Sequence, residues 1–189
     1  MSTLLNTRQF VLPLVTLAVT ALSVSPATAD GPKYELFQQV QEQVVGYPFF
    51  TVFDNVNAEI ADDGHVVLTG QVTSRHKAQD IEKRVDTLEG VTAVTNEIAV
   101  LPASLFDDQL RYVIARAIFE NPAFWHYATR ANPSIHIVVN RGHVTLTGVV
   151  DSEIDRQLAP LLAGQFDAFS VTNKLRLPHE VTAELEALG

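Results

Sequence analysis

Gly64-His65-Val66-Val67-Leu68-Thr69-Gly70-Gln71-Val72 and Gly142-His143-Val144-Thr145-Leu146-Thr147-Gly148-Val149-Val150 are nearly one sequence written twice, identical at seven of nine positions. Within each, Val66 and Leu68, or Val144 and Leu146, alternate with residues of another character, the period of a half-buried strand. Upstream, Val56, Ala58 and Ile60 alternate toward the turn signal Asp62-Asp63-Gly64, and Ile135, Ile137 and Val139 toward Asn140-Arg141-Gly142. Each copy is therefore a predicted β-hairpin. Self-similarity at this spacing makes the chain two copies of one unit.

Working outward, each hairpin is flanked by helical patterns. Leu36, Val40 and Val44 form an apolar stripe ahead of the first, ended by Gly46 and Pro48, and Leu110, Val113, Ile114, Ala117 and Ile118 form one ahead of the second. Behind the hairpins, Ser74 and Ser152 are predicted N-caps. They lead into the faces Ala78, Ile81, Val85, Leu88 and Ile154, Leu158, Leu161, Leu162. Pro160 lies inside the second of these helices, where a missing donor predicts a kink or restart. Third strands follow, Val94-Asn96-Ile98-Val100 and Val171-Asn173-Leu175-Leu177, sharing Val-Thr-Asn. Each unit thus reads helix, strand, strand, helix, strand: an α+β sandwich with a three-stranded mixed sheet and both helices on one face.

The predicted boundaries are a leader at 1–29, units at 33–102 and 106–178, and a tail at 179–189. In the leader, Arg8 precedes the apolar run Phe10 to Val24, and Ala27-Thr28-Ala29 is a small-x-small cleavage site, so export with cleavage after Ala29 is expected. The chain has no cysteine, which removes disulfides, thiol catalysis and cysteine metal sites from consideration. With 13 basic and 22 acidic residues the net charge is −9, which disfavours broad binding to nucleic acid or to anionic lipid surfaces. Loss of Arg8 with the leader makes the balance one unit more negative.

This arrangement resembles the BON domain, named from an osmotically inducible periplasmic protein and nodulation-related proteins of bacteria. The resemblance is carried by Gly64, Val66, Leu68, Gly70, Val72, Gly90, Val91, Val94 and Asn96 in the first unit, and by Gly142, Val144, Leu146, Gly148, Val150, Val171 and Asn173 in the second. It covers about Leu36 to Pro102 and Asp107 to Pro178. The glycine after the second helix, Gly90, has no counterpart in the second unit, where Asp167-Ala168 stands. The resemblance implies a small α/β sandwich, periplasmic residence, and binding of phospholipid or attachment to membranes. For some members it implies envelope-stress or osmotic-stress roles, or chaperone-like activity. It carries no catalytic residues.

No catalytic motif stands out in the residues themselves, and neither a cofactor nor a metal is expected. His65, His143 and His136 sit on outward strand positions without ligand spacing. The aromatic runs are the more informative feature. Phe49, Phe50 and Phe53 in the first unit, and Phe124, Trp125 and Tyr127 in the second, have two readings: apolar tips for a lipid interface, or caps on small cores of about 70 residues that need every large side chain. A second candidate surface is the sheet face opposite the helices, carrying His65, Val67, Thr69 and Gln71 in the first unit. In the second it carries His136, His143, Thr145 and Thr147, with Lys174 and Arg176 making it locally basic. The glycines Gly64, Gly70, Gly90, Gly142 and Gly148, with Asn96 and Asn173, are read as structural. A non-enzymatic binding module of the envelope is expected, its partner a phospholipid surface or, alternatively, envelope proteins bound by a soluble chaperone-like module.

Overall fold

The computed structural model describes residues 12–13, 32–130 and 132–186. The leader expected at 1–29 lies outside the described residues except for the two-residue strand β1, Leu12–Pro13, and so does the end of the expected tail, 187–189.

The first unit comprises α1 (Pro32–Val45), β2 (Asn55–Ile60), β3 (His65–Val72), α2 (Arg75–Asp86), β4 (Ala93–Asn96) and β5 (Ala99–Val100). Strands β2 and β3 pair antiparallel with Ala58 opposite Leu68, so Val56, Ala58, Val66 and Leu68 enter the core together. Strand β4 runs parallel to β3, and β5 continues that pairing. The predicted single third strand is thus split. Asn96 stands at the break: its Oδ1 accepts the Ile98 N–H at 3.0 Å, while its Nδ2 donates to the Ala78 carbonyl at 3.0 Å and to Glu82 at 2.8 Å. One side chain thus ties strand to helix. β1 pairs with the outer edge of β2, Leu12 opposite Ala58.

The second unit comprises α3 (Leu105–Phe119), a 3₁₀ turn (Pro122–Phe124), α4 (Trp125–Ala128), β6 (Ile135–Asn140), β7 (His143–Val149), α5 (Glu153–Ala163) and β8 (Ser170–Arg176). Its sheet has the order β6-β7-β8, antiparallel then parallel, as in the first unit. Asn173 repeats the role of Asn96, accepting the Leu175 N–H at 3.1 Å and donating to the Arg156 carbonyl at 2.8 Å. That second bond also explains Pro160. Proline cannot donate to the carbonyl four residues back, which is that of Arg156. The Asn173 amide supplies the missing donor, and α5 runs as one helix through Pro160 instead of restarting.

Several predicted faces rotate. In α3 the inward residues are Leu110, Ile114 and Ile118, with Val113 exposed. In α5 they are Asp155, Ala159 and Ala163, flanked by half-buried Leu158 and Leu162, while Ile154 and Leu161 point outward. Ser152 caps α5 through the Asp155 N–H at 3.1 Å, but the Ser74 side chain makes no capping bond, although the residue sits at the N-cap of α2. The stretch expected as a tail forms α6, Pro178–Glu186, whose Val181 packs on Val149. Its Leu185 reaches the core of the first unit as well. Among the described residues no helix is long and apolar enough to cross a membrane.

Candidate functional site

The aromatic runs divide by environment. Phe124 and Tyr127 are fully buried in the second core. They are core residues and not lipid-facing tips, a correction to that reading. The Tyr127 hydroxyl donates to Asp155 at 2.9 Å and accepts the Asp151 N–H at 2.6 Å; burial, opposed by that N–H, pushes its pKa upward. Tyr47 is buried likewise and donates to Asp80 at 2.7 Å. Phe49 and Trp125 are exposed, at 67% and 69%.

Phe50 and Phe53 do something the sequence did not announce: they join the two units. Phe50 packs on the first core and meets the His136 ring at 5.5 Å, and Phe53 packs on the second core with its ring 5.3 Å from Tyr112. Between them the Val52 carbonyl accepts the Ile137 N–H at 2.6 Å, from the outer edge of β6. This strap is held from below by Asp54, which is wholly buried. Its carboxylate accepts the N–H and hydroxyl of Thr51 and of Thr73, and pairs with the Lys77 ammonium at 2.6 Å. Asp54 thereby fixes Thr73, the residue just before the Ser74 N-cap of α2.

The strap changes the sheet face predicted to be open. His136 and Thr147 are buried beneath this contact region instead of lying at the surface. Burial lowers the His136 pKa, an effect the backbone of Asp54 and Thr51 and the Asp54 charge oppose; its Nδ1 has no hydrogen-bond partner. The folded state therefore favours the neutral His136 ring, whereas the unfolded chain takes up a proton near the ordinary histidine value of 6.5. Its contribution to stability is present above that pH and is lost as pH falls below it, by at most about 1.4 kcal/mol per pH unit. Urea midpoints of the parent should fall between mildly alkaline and mildly acid pH, with a flatter dependence in His136→Leu. Parallel pH profiles would remove His136 as the cause.

The basic pair on β8 separates too. Lys174 is exposed, but Arg176 is engaged by α6, at 2.7 Å from the Glu184 carboxylate and 3.0 Å from the Glu180 carbonyl. Arg176 therefore belongs to an intramolecular contact and not to an available cationic face.

What the fold assembles instead is an apolar tip at the hairpin end of the second unit. Leu105 is 85% exposed, Phe106 43% and Phe169 73%, the two phenylalanine rings stacking with centroids 6.1 Å apart. The tip is rigidly built. Asp107, buried at the start of α3, accepts the N–H groups of Arg141 and Gly142, each at 2.8 Å, and the Phe169 N–H donates to the Gly142 carbonyl at 2.8 Å. The Phe169 ring lies where a side chain at Gly142 would sit, only 2.7 Å from an added Cβ. In the first unit Thr92 makes the equivalent bond to Gly64, at 3.0 Å, and the same end is an acidic cleft of about 660 Å³ that includes Glu35, Asp62, Asp63 and Glu89. The two copies have diverged at one location, acidic in one and apolar in the other. Sequence reading missed Leu105, Phe106 and Phe169 because the first two sit where a linker meets a helix and the third in a loop without periodicity. The replacement of Thr92 by Phe169 between copies was the available signal.

The repeated histidines have modest partners: His65 Nε2 lies 2.8 Å from the Thr95 hydroxyl and His143 Nδ1 2.8 Å from that of Ser170. Among the described residues no three His, Cys, Asp or Glu side chains are grouped so as to hold a metal ion.

Comparison with known proteins gives a family. No curated protein matches the chain. Among solved structures, it is similar to the C-terminal domain of CdsD, the structural protein of the type III secretion system of Chlamydia trachomatis, at 18% identity and TM-score 0.31, over 81% of this chain and 69% of that one. A second structure of CdsD from the same organism matches at 13% identity and TM-score 0.28, over 80% of this chain and 97% of that one. The family model of the BON domain matches twice, at residues 36–102 and 107–178, which takes in most of the chain. With both matched segments folded as the same α-β-β-α-β unit, the chain belongs to the BON domain family.

Proposed function

We propose that this protein is a non-enzymatic envelope module that associates peripherally with phospholipid surfaces through the apolar tip of its second unit. The observation that carries this reading is the exposure of Leu105, Phe106 and Phe169 together on a turn clamped by Asp107. Large apolar side chains placed at the surface by a rigid scaffold gain about 1.5–3 kcal/mol each when they leave water. The first unit's acidic end is repelled by anionic headgroups, which favours approach by the second unit. The expected leader at 1–29 would deliver the chain to the periplasm, where such a surface is available.

Flotation of the chain with phosphatidylcholine vesicles, with and without anionic phosphatidylglycerol, tests this. Leu105→Ser combined with Phe169→Ser should reduce the bound fraction about tenfold or more, given the apolar area removed, with an unchanged melting midpoint. Equal flotation of parent and variant would sink the assignment of the tip. The alternative reading, a soluble chaperone-like module, draws on the exposed Phe49 and Trp125 and on the negative charge. It predicts that substoichiometric protein delays aggregation of an unfolded client, and that Trp125 fluorescence shifts blue on client binding but not with vesicles.

A further inference from the structure

The two copies differ at the outer edge of their hairpins. In the first, the Ala61 N–H donates to the His65 carbonyl at 2.9 Å, which sets the hydrogen-bonded pairs at Ala61/His65, Glu59/Val67 and Asn57/Thr69. The backbone groups of Val56, Ala58 and Ile60 therefore point away from β3, out of the sheet edge. In the second, the Val149 N–H donates to the Ser134 carbonyl at 2.9 Å, and by the same count Ile135, Ile137 and Val139 point outward.

Unpaired edge groups are a template for another chain, and the second unit closes its own. The Ile137 N–H is taken by the Val52 carbonyl of the strap, and the Val139 carbonyl accepts Arg111 Nη2 at 2.6 Å. Among the described residues the first unit has neither device. Phe37 stands where the aligned helix stripes place Arg111, and its side chain is buried in the core. β2 carries no proline or lysine to guard it. What lies along its outer edge, among the described residues, is β1 alone.

β1 indicates what this edge accepts. It runs antiparallel to β2 with Leu12 opposite Ala58, a hydrogen-bonding position, and Pro13 opposite Asn57, where no N–H is called for. Ala58 is buried in the first core and stands where the second unit has the larger Ile137, so a large side chain across from it finds room. Asn57 and Glu59 alternate to the other face, and Glu59 is the one charge on β2. A complementary strand thus has apolar residues opposite Val56, Ala58 and Ile60 and a basic residue opposite Glu59.

We infer that the outer edge of β2 is a strand-addition site, which takes an extended segment of another polypeptide with this alternation and which Leu12–Pro13 fills in the full chain. The inference concerns the first unit and goes beyond the lipid reading, which concerns the tip of the second. Loss of the expected leader at 1–29 opens the edge. A chain beginning at Asp30 keeps every described core residue, since both cores start at Leu36 or later.

The probe is the peptide acetyl-Thr-Val-Lys-Leu-Thr-Val-Thr-amide, which sets leucine opposite Ala58 and lysine opposite Glu59. Added to the ¹⁵N-labelled chain from Asp30, it should shift the amides of Val56, Ala58 and Ile60 and slow hydrogen exchange at Ala58 and Ile60 about tenfold or more. N-methylation of the leucine, whose N–H faces Ala58, should weaken binding about tenfold, while N-methylation of the lysine, whose N–H faces away, should change it little. Glu59→Lys should weaken binding about threefold, and glutamate in place of the peptide's lysine should restore it. The full chain, with a tethered occupant on the edge, should bind about tenfold more weakly or less.

Shifts confined to another surface, equal binding of the two N-methyl peptides, or equal binding by the two chains overturns the site. Loss of peptide binding in the combined Leu105→Ser, Phe169→Ser variant also overturns it, because the peptide would then sit on the apolar tip. Vesicle flotation is read separately: a chain that passes these tests without floating keeps the strand site and loses the lipid reading.

Discussion

Alanine at position 148 is expected to lower the stability of the protein by about 3–5 kcal/mol, from left-handed backbone strain together with overpacking. Gly148 has φ +116°, a region that side chains rarely enter, and a Cβ built there lies 1.9 Å from the Ser134 carbonyl oxygen. That oxygen is already in use, accepting the Val149 N–H at 2.9 Å, while the Ser134 hydroxyl donates back to the Val149 carbonyl at 2.7 Å. Relief would need β6 to move away from β7 at Ile135, which is wholly buried. The first copy repeats the geometry: Gly70 has φ +113° and its added Cβ would approach the Asn55 carbonyl to 2.2 Å. Urea denaturation of Gly148→Ala against the parent measures the effect. A loss under about 1 kcal/mol, the scale of an ordinary surface change, would mean that the two strands separate freely there and that the glycine is not required.

Asp54→Ala is expected to cost a comparable amount, about 3–5 kcal/mol, because it removes one partner of a buried pair. Lys77, with only 12% of its side chain exposed, would keep its charge without a counter-ion, and the donors of Thr51 and Thr73 would lose their acceptor. The consequence reaches beyond the first unit. Asp54 holds the turn that presents Val52 to Ile137 and Phe53 to the second core, so its loss should release the strap and loosen one unit from the other. Limited proteolysis should then cut between residues 49 and 54 in the variant and spare the parent. The double variant Asp54→Ala with Lys77→Met removes the stranded charge and should recover about half of the lost stability. If the double variant is no more stable than the single one, the penalty lies in the lost loop bonds and not in the unpaired lysine. If Asp54→Ala retains the parent's midpoint and cleavage pattern, the strap is held by its aromatic contacts and the Val52–Ile137 hydrogen bond without Asp54.

Both substitutions concern residues whose importance was legible to different degrees. The Leu-Thr-Gly repeat marks Gly70 and Gly148 as structural in the sequence itself, because a glycine inside an alternating strand pattern signals a close backbone approach. Asp54 carried no such mark. It follows an aromatic run and precedes a strand, and its partners Thr73 and Lys77 come from beyond the hairpin. The aromatic residues show the same limit. Phe49 and Trp125 are exposed, Phe124 and Tyr127 buried, and Phe50 and Phe53 shared between units, yet all six occupy two runs of similar composition. An aromatic run without period has no direction, so only the packing around it assigns each ring.

By itself the sequence determined the two-unit organisation, the helix-strand-strand-helix-strand order within each unit, the hairpin register and the structural role of the paired glycines. These rest on local chemistry: the period of two in a strand, the period of a helix, and turn residues. The tertiary structure alone decided which faces are covered, since that depends on residues far apart in the chain meeting across the unit boundary. It placed the strap on β6, turned the expected tail into a helix that engages Arg176, and left Leu105, Phe106 and Phe169 in the open beside Arg141. Burial is a property of the assembled surfaces, and no spacing within either repeat encodes it.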